Sequence, residues 1–257
     1  MKKLIFLAAF LVLGFGLYAQ KGAYAGLNFA YNSTWLMNPQ VFDDGSGQDI
    51  DPSFGHYYGL VLGYNFIDNV GLELDVNFGK IVQKYTGRLN YFGTDNYNDY
   101  NSKIIMKTID LPLLAKFGEK SYFEIGPVLQ LVTSVDYTMD LENESNLFPY
   151  WYKDMIMVAG VVPNGTRDVQ ELFKNKGFGL AMGFGSDIDL WEDKLALNFG
   201  VRFQYIFTDL QGVNGLGLTS ESPYVPEDNQ NDVNEKERFK TNPLIGGFKI
   251  GLKYRIQ

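Results

Sequence analysis

The chain has 257 residues, no cysteine and a formal net charge of −8, with a pI near 4.7. Such an acidic chain lacks the basic footprint of a nucleic-acid-binding protein, so nucleic acid is excluded as a partner. Without cysteine, the fold must be held by hydrogen bonds and packing rather than by disulfides. The mean hydropathy of −0.14 would suit a soluble protein, but aromatic residues reach 16% and glycine occurs 28 times. Membrane β-barrels show this moderate hydropathy because only alternate residues meet lipid.

The N-terminus has the layout of a secretory signal peptide. Two lysines precede an apolar run from Leu4 to Leu13, and Ala19 offers a cleavage position. The run is too short for a transmembrane helix, which needs about 20 apolar residues. We therefore expect residues 1–19 to be a cleaved signal peptide. Residues 20–257 are expected to form one β-barrel domain, because no linker divides them.

The remaining sequence is a series of stretches in which apolar and polar residues alternate, the period of two that a strand shows. In the first stretch, Ala25, Leu27 and Phe29 share one face, and Asn28 falls on the other. In the fifth stretch, 123–135, the same rule assigns Val135 to the apolar face. About eight stretches follow this rule, an even number as single-chain outer-membrane barrels require. They lie at 23–32, 58–66, 70–79, 108–117, 123–135, 178–185, 195–208 and 247–256.

The connections between these stretches alternate between short turns and long polar loops. Short periplasmic turns and long extracellular loops are the asymmetry of outer-membrane barrels, and they put both chain ends on the periplasmic side. The lengths of the short turns also keep the polar faces of successive strands together, as the register requires. The turns are predicted at 67–69, 118–120 and 192–193, and the loops at 34–54, 87–101, 140–176 and 211–242.

Alternation alone does not decide which face points inward. A soluble, lipocalin-like barrel would place the Leu and Phe face inside, around an apolar ligand. Here the opposite face is mostly Gly, Ala and Asn, which suits the narrow interior of an eight-stranded barrel better than an exterior. We therefore predict an all-β fold, a single antiparallel up-and-down transmembrane barrel of about eight strands with a filled polar lumen.

Charges of both signs fall on the predicted inner face at similar heights. Carboxylates in such a place can serve as general acids or bases, but structural ion-pair networks are a frequent alternative. The single histidine, His56, falls on the lipid face and cannot join them in a catalytic triad. We expect no enzyme activity, no catalytic residue and no cofactor. The predicted lumenal charge network consists of Glu73, Asp75, Asp110, Glu124, Arg202 and Lys249.

One hairpin carries a resemblance to a known family. Its strands read IDLPLLAKF (109–117) and YFEIGPVL (122–129), and the first strand opens with GAYAGLN (22–28). These segments resemble the PorT-like outer-membrane β-barrel proteins of Gram-negative bacteria. The resemblance implies an integral outer-membrane barrel and no enzyme. The family's namesake belongs to a protein-secretion system, although the label covers many barrels of unassigned role. Pro112 and Pro127 each remove a ladder donor and predict a local irregularity between these strands.

The long loops carry the remaining candidate sites. Residues 43–51 are rich in oxygen-bearing side chains but lack the EF-hand spacing, so a solvated acidic loop is the default and calcium binding stays open. The aromatic cluster Tyr150, Trp151 and Tyr152 is a candidate partner-binding surface or a cover for the barrel mouth.

Together these patterns predict an integral protein of the cell outer membrane with a structural or interaction role, presenting acidic extracellular loops to a partner or ligand. Two alternatives stay open. One is a narrow pore or an accessory component of a transport or protein-secretion system, and the other is a soluble secreted lipocalin-like binder. The expected partners are outer-membrane lipid and a surface or secretion-system protein, and we expect a monomer.

Overall fold

A computed structural model describes residues 22–37, 48–67, 69–90, 97–141, 165–170, 173–191, 194–210 and 240–256. Within these ranges, no helix is long and apolar enough to cross a membrane. The described residues form ten strands of one sheet: β1 (Ala23–Met37), β2 (Gln48–Asp51), β3 (Phe54–Ile67), β4 (Val70–Asn90), β5 (Tyr97–Phe117), β6 (Ser121–Leu141), β7 (Gly165–Asp168), β8 (Lys176–Trp191), β9 (Leu195–Ile206) and β10 (Asn242–Ile256).

Eight of these strands close into a ring. The pairing runs β4, β3, β1, β10, β9, β8, β6 and β5, and β5 pairs back with β4. The first and last strands meet in antiparallel register from the Ala23–Ile256 pair to the Met37–Asn242 pair. The two short strands lie beside the ring, β2 on β4 and β7 on β6. The predicted antiparallel barrel of about eight strands is thereby confirmed.

Short turns join the strands at one end of the barrel, which we call the turn end. Gly118 takes a φ of 115° between β5 and β6, a left-handed conformation that glycine adopts without strain. Ala23 and Ile256 also lie at this end. The opposite end, which we call the loop end, carries the longer connections. The predicted signal peptide at residues 1–19 and the turn at 192–193 lie outside the described residues.

The alternation places the apolar face outward. Leu60 and Phe203 are 53% and 51% exposed, whereas Glu73 and Glu124 are 0% and 1% exposed inside the barrel. A lipocalin-like barrel needs the reverse arrangement. The alternative of a soluble barrel around an apolar ligand is therefore contradicted by the faces of the strands.

Three strands reach beyond the others at the loop end, and their exterior changes character there. β4, β5 and β6 each have 21 residues. On β5 the exterior positions are apolar from Phe117 to Ile109, and the next ones include Lys107 and Lys103. From Phe117 the strand climbs about 20 Å along the axis to Ile109 and about 25 Å to Lys107, given a rise of about 3.3 Å per residue and a tilt near 40°. The apolar band therefore has the height that a membrane barrel requires.

A bulge in β6 corrects the predicted face of its loop-end half. The pairing of β5 with β6 shifts between Lys107 and Thr108, so that Thr133 becomes an extra residue in β6. One extra residue reverses the alternation of every residue beyond it. The prediction that Val135 lies on the outward, apolar face is therefore wrong, and Val135 is fully buried in the interior.

The two prolines of the β5–β6 hairpin produce the predicted irregularity. The ladder runs from the turn to the Ala115–Ile125 pair and resumes only at the Pro112–Val128 pair. The interruption includes the position of Pro127, which has no amide proton to donate.

The interior of the loop-end half is mainly apolar, with Thr34, Gln83 and Ser102 buried among the apolar side chains, and this corrects the prediction of a polar lumen throughout. Outside the membrane the exterior of the strands meets water, so the apolar side chains turn inward. Burial raises the pKa of the Tyr137 hydroxyl to about 12, as expected for a phenol held away from water. The buried apolar side chains of this half pack into one cluster, which we call the loop-end cluster. It contains Leu36, Ile81, Tyr85, Tyr100, Ile104, Met106, Val132, Val135, Tyr137, Val169, Phe173, Leu210 and Ile245.

Candidate functional site: a charged layer in the lumen

A layer of ionisable side chains fills the lumen in the turn-end half of the barrel. Five strands contribute to it, and every member is buried. Each side chain occupies an inward position of its strand, so the layer follows directly from the alternation. We call it the charged layer; it comprises Glu73 and Asp75 of β4, Lys116 of β5, Glu124 of β6, Arg202 of β9, and Lys249 and Lys253 of β10.

Arg202 joins three carboxylates from two strands. Its Nε donates to Glu124 Oε1 at 2.6 Å, and its Nη1 donates to Asp75 Oδ2 at 2.5 Å. Its Nη2 lies 3.5 Å from Glu73 Oε1. The planar guanidinium suits this task because it offers several donors in fixed directions. One side chain thus ties β9 to β4 and β6 through the lumen.

Glu73 contacts several cations, as Arg202 contacts several carboxylates. Its Oε2 accepts from Lys116 Nζ at 3.2 Å, from Lys253 Nζ at 3.1 Å and from the Tyr24 hydroxyl at 2.8 Å. Its other oxygen lies 3.7 Å from Lys249 Nζ. A fully buried carboxylate needs partners of this kind because its desolvation is otherwise unfavourable by several kcal/mol.

The charges of the layer balance. Lys249 Nζ pairs with Glu124 Oε2 at 3.3 Å, and Lys253 Nζ lies 3.6 Å from Asp187 Oδ1 on the turn-end side. With Asp187 included, four cations face four carboxylates among the described residues. A balanced, hydrogen-bonded network can be buried where a single unpaired charge cannot.

Two tyrosines line the turn-end side of the layer. Lys116 Nζ lies 3.7 Å from the centre of the Tyr122 ring, a cation–π arrangement. The Tyr122 hydroxyl accepts from Asn198 Nδ2 at 2.6 Å. Lys253 Nζ lies 5.2 Å from the centre of the Tyr24 ring. The aromatic rings thus fill space between the lysines while their hydroxyl groups stay hydrogen-bonded.

Glycines on the neighbouring strands make room for these large side chains. Glu73 lies opposite Gly63, and Arg202 lies opposite Gly183. A Cβ atom at Gly183 would stand 2.8 Å from Glu124 Oε1, and one at Gly63 would collide with the Tyr24 ring. The Gly-rich inner face noted in the sequence is therefore the space into which the charged layer fits.

The structure brings together five of the six residues of the predicted charge network. Arg202 contacts Glu73, Asp75 and Glu124, and Lys249 contacts Glu73 and Glu124, so these five side chains form one network. Among the described residues, Asp110 makes no ion pair with a cation of the layer, because it lies further toward the loop end.

The surroundings of Asp110 are neutral rather than cationic. Its carboxylate accepts from Gln130 Nε2 at 3.0 Å and from Gln204 Nε2 at 3.3 Å. These amides come from β6 and β9, so this smaller network also ties strands across the lumen.

Sequence reasoning omitted four members of the site. Lys116 and Lys253 occupy inward positions by the same alternation that selected Lys249, so parity alone could have included them. Tyr24 and Tyr122 also alternate with the apolar exterior positions. Their aromatic character hid them, because tyrosine suits both a lumen and a membrane interface.

Within the described ranges, no group of three or more His, Asp or Glu side chains could hold a metal ion. His56 lies on the exterior, where its ring stacks on Phe29 at 6.5 Å. The candidate partner-binding residues Tyr150, Trp151 and Tyr152 lie outside the described residues, as does most of the acidic segment 43–51.

Comparison with known proteins gives likenesses of fold at low sequence identity. No protein-family model and no curated protein matches the chain. Neisserial surface protein A matches at 12% identity over 91% of this chain and 97% of that chain, with a TM-score of 0.36. Ail, the attachment invasion locus protein of Yersinia pestis, matches at 11% identity over 92% and 99%, with a TM-score of 0.32. The outer membrane protein OprG from Pseudomonas aeruginosa matches at 14% identity over 92% and 96%, with a TM-score of 0.33. Likenesses at this level transfer no ligand and no activity to this chain.

Proposed function

We propose that this protein is an integral outer-membrane barrel whose lumen is a structural plug, and whose task is to present its loop end to a partner protein, surface polymer or ligand outside the cell. The support for membrane insertion is the apolar exterior band, whose upper edge lies between about 20 Å at Ile109 and about 25 Å at Lys107, close to the height typical of outer-membrane barrels. In this orientation the turn end faces the periplasm.

The interaction role rests on the observation that side chains fill the lumen in both halves of the barrel. The charged layer fills the turn-end half, and the loop-end cluster fills the other half with apolar side chains. An interior filled in this way leaves no continuous water path for solutes. The parts of the molecule that remain free to act are its outer surfaces and its connections at the loop end.

The test is insertion combined with conductance. We expect the protein to remain with the outer-membrane fraction after carbonate washing, and the purified protein in planar bilayers to show no steady open channel. A steady conductance from the folded barrel would refute the plugged lumen and favour the alternative of a narrow pore. Recovery in the carbonate-soluble fraction would refute membrane insertion itself.

The resemblance to PorT-like barrels remains part of this proposal. It rests on the β5–β6 hairpin with its IDLPLLAKF and YFEIGPVL strands. A role as an accessory of protein secretion is compatible with a plugged barrel that contacts other proteins, but no observation on the described residues favours it over contact with a surface polymer.

A further inference from the structure

Four lysines stand together on the exterior of β4 and β5, just beyond the apolar band. Lys80 lies directly opposite Lys107 in the β4–β5 ladder, and Lys84 lies directly opposite Lys103. All four side chains are at least partly exposed. The two lysine pairs are four residues apart along each strand, which separates them by about 13 Å. We call this surface the lysine patch.

Four lysine charges this close together repel one another unless negative charge nearby compensates for them. Like charges directly opposite each other on neighbouring strands repel and destabilise the sheet. Asp51 lies opposite Lys84 across the β2–β4 pair, and Asp136 lies opposite Ile105 on the adjacent β6. Even so, no ion pair within the described part of the chain involves any of the four lysines.

The position of the patch indicates what compensates for it. Lys107 is the first charged residue on the exterior of β5 above the apolar band, and Phe78 is the last apolar exterior residue of β4 before Lys80. A residue at this height meets the headgroup layer rather than the acyl chains. Lipid phosphates lie in that layer, and lysine ammonium groups bind phosphate as strongly hydrated point charges.

We propose that the lysine patch binds lipid of the outer leaflet whose phosphate headgroup carries a net negative charge. The Lys80–Lys107 pair lies at the headgroup level, and the flexible side chains of the Lys84–Lys103 pair reach down to it from about 10 Å above. The proposal rests on the membrane insertion argued above and adds a lipid partner to it. The acidic net charge of −8 makes the patch a local exception, because the rest of the chain would repel an anionic surface. Such binding holds the barrel at a fixed depth and screens the repulsion between the lysines.

The experiment compares the full chain in nanodiscs of phosphatidylglycerol with the same chain in nanodiscs of phosphatidylcholine. The test variant replaces all four lysines by glutamine, K80Q, K84Q, K103Q and K107Q. The matched control, called the dispersed control, replaces two lysines at the turn end and two at the loop end, K120Q, K194Q, K174Q and K240Q, and so changes the net charge equally. The readouts are the number of phosphatidylglycerol molecules retained in native mass spectrometry and the midpoint of heat unfolding followed by gel migration.

For the wild type and the dispersed control, we expect a higher unfolding midpoint in phosphatidylglycerol than in phosphatidylcholine, and an increment that falls as salt is raised. The patch variant loses this increment and retains at least about fivefold less phosphatidylglycerol. In phosphatidylcholine it unfolds no earlier than the wild type, because the repulsion between the lysine pairs has been removed.

Two outcomes overturn the proposal. One is a patch variant with the same phosphatidylglycerol increment as the dispersed control. The other is an equal increment in phosphatidylcholine on adding soluble glycerophosphate, which would assign the patch to a free phosphate compound. Failure of the wild type to insert into either nanodisc would instead contradict the membrane barrel, so the two proposals fail separately.

Discussion

At the scale of single residues, the barrel is held across its lumen by a few side chains with several partners each. Arg202 binds carboxylates of β4 and β6, and Glu73 accepts from residues of β1, β5 and β10. Each of these contacts is buried, so the interactions are little screened by water or salt. Removing one partner therefore leaves an uncompensated charge inside the barrel.

The first prediction concerns Arg202→Met, which removes the shared cation and keeps a side chain of similar length. We expect the free energy of unfolding to fall by about 3–5 kcal/mol, because Asp75 and Glu124 lose their shortest partner. The measurement is urea unfolding of the barrel in detergent micelles. The control is Lys120→Met, which removes the exposed pair with Asp189 at 3.4 Å and should change stability by only about 0–1 kcal/mol. Equal effects of the two variants would contradict the buried network.

At the scale of elements, the long strands change environment partway along their length. The turn-end part of β5 has an apolar exterior and an inner face with Lys116, whereas its loop-end part has lysines outside and Ile104 and Met106 inside. The bulge at Thr133 gives the loop-end part of β6 an apolar inner face as well, because it turns Val135 inward beside Ile104 and Met106. The reversal locates the outer boundary of the membrane near Lys107.

The second prediction tests this boundary with two substitutions on the exterior of one strand. Leu113→Arg lies midway along the apolar part of β5 and should destabilise the inserted barrel by about 2–4 kcal/mol. Ile105→Arg lies beyond Lys107 on the same face and should change stability by about 0–1 kcal/mol. The new side chain leaves the acyl region, and attraction to Asp136 directly opposite on β6 offsets repulsion from the neighbouring lysines. Unfolding equilibria in phosphatidylcholine vesicles measure both. A larger loss for Ile105→Arg than for Leu113→Arg would place the boundary elsewhere.

At the scale of the whole molecule, closure of the ring places lysine side chains in three different environments. Lysines lie in the lumen at Lys249, on the loop-end exterior at Lys84, and at the turn-end rim at Lys120. In the proposed orientation these environments are respectively sealed, extracellular and periplasmic. Chemical access to amines therefore reports both the topology and the plug.

The third prediction uses a membrane-impermeant amine reagent on intact cells, followed by peptide mass spectrometry. We expect the exposed loop-end lysines Lys174 and Lys240 to react in intact cells, and Lys120 and Lys194 to react only after the outer membrane is permeabilised. The lumenal Lys116, Lys249 and Lys253 should react only after unfolding. Reaction of the turn-end lysines in intact cells, with Lys174 and Lys240 protected, would reverse the proposed orientation.

The sequence by itself determined the eight strands of the ring within the apolar band and the direction of their faces there. It did so because a strand has a period of two and the two faces of a membrane barrel meet chemically different surroundings, so that Leu60 and Glu73 could be sorted by parity alone. The extended parts of β4, β5 and β6 beyond the membrane were not recognised as strands. Their outer positions are polar and their inner positions apolar, and this pattern resembles ordinary loop sequence.

Only the tertiary structure decided which inward residues meet. Parity placed Asp110 and Lys253 on the same inner face, yet Lys253 binds Glu73 while Asp110 is held by Gln130 and Gln204. Partners across a lumen depend on strand tilt, on the stagger that closes the ring and on the bulge at Thr133. These quantities arise from pairing between strands distant in the sequence, and no local pattern encodes them.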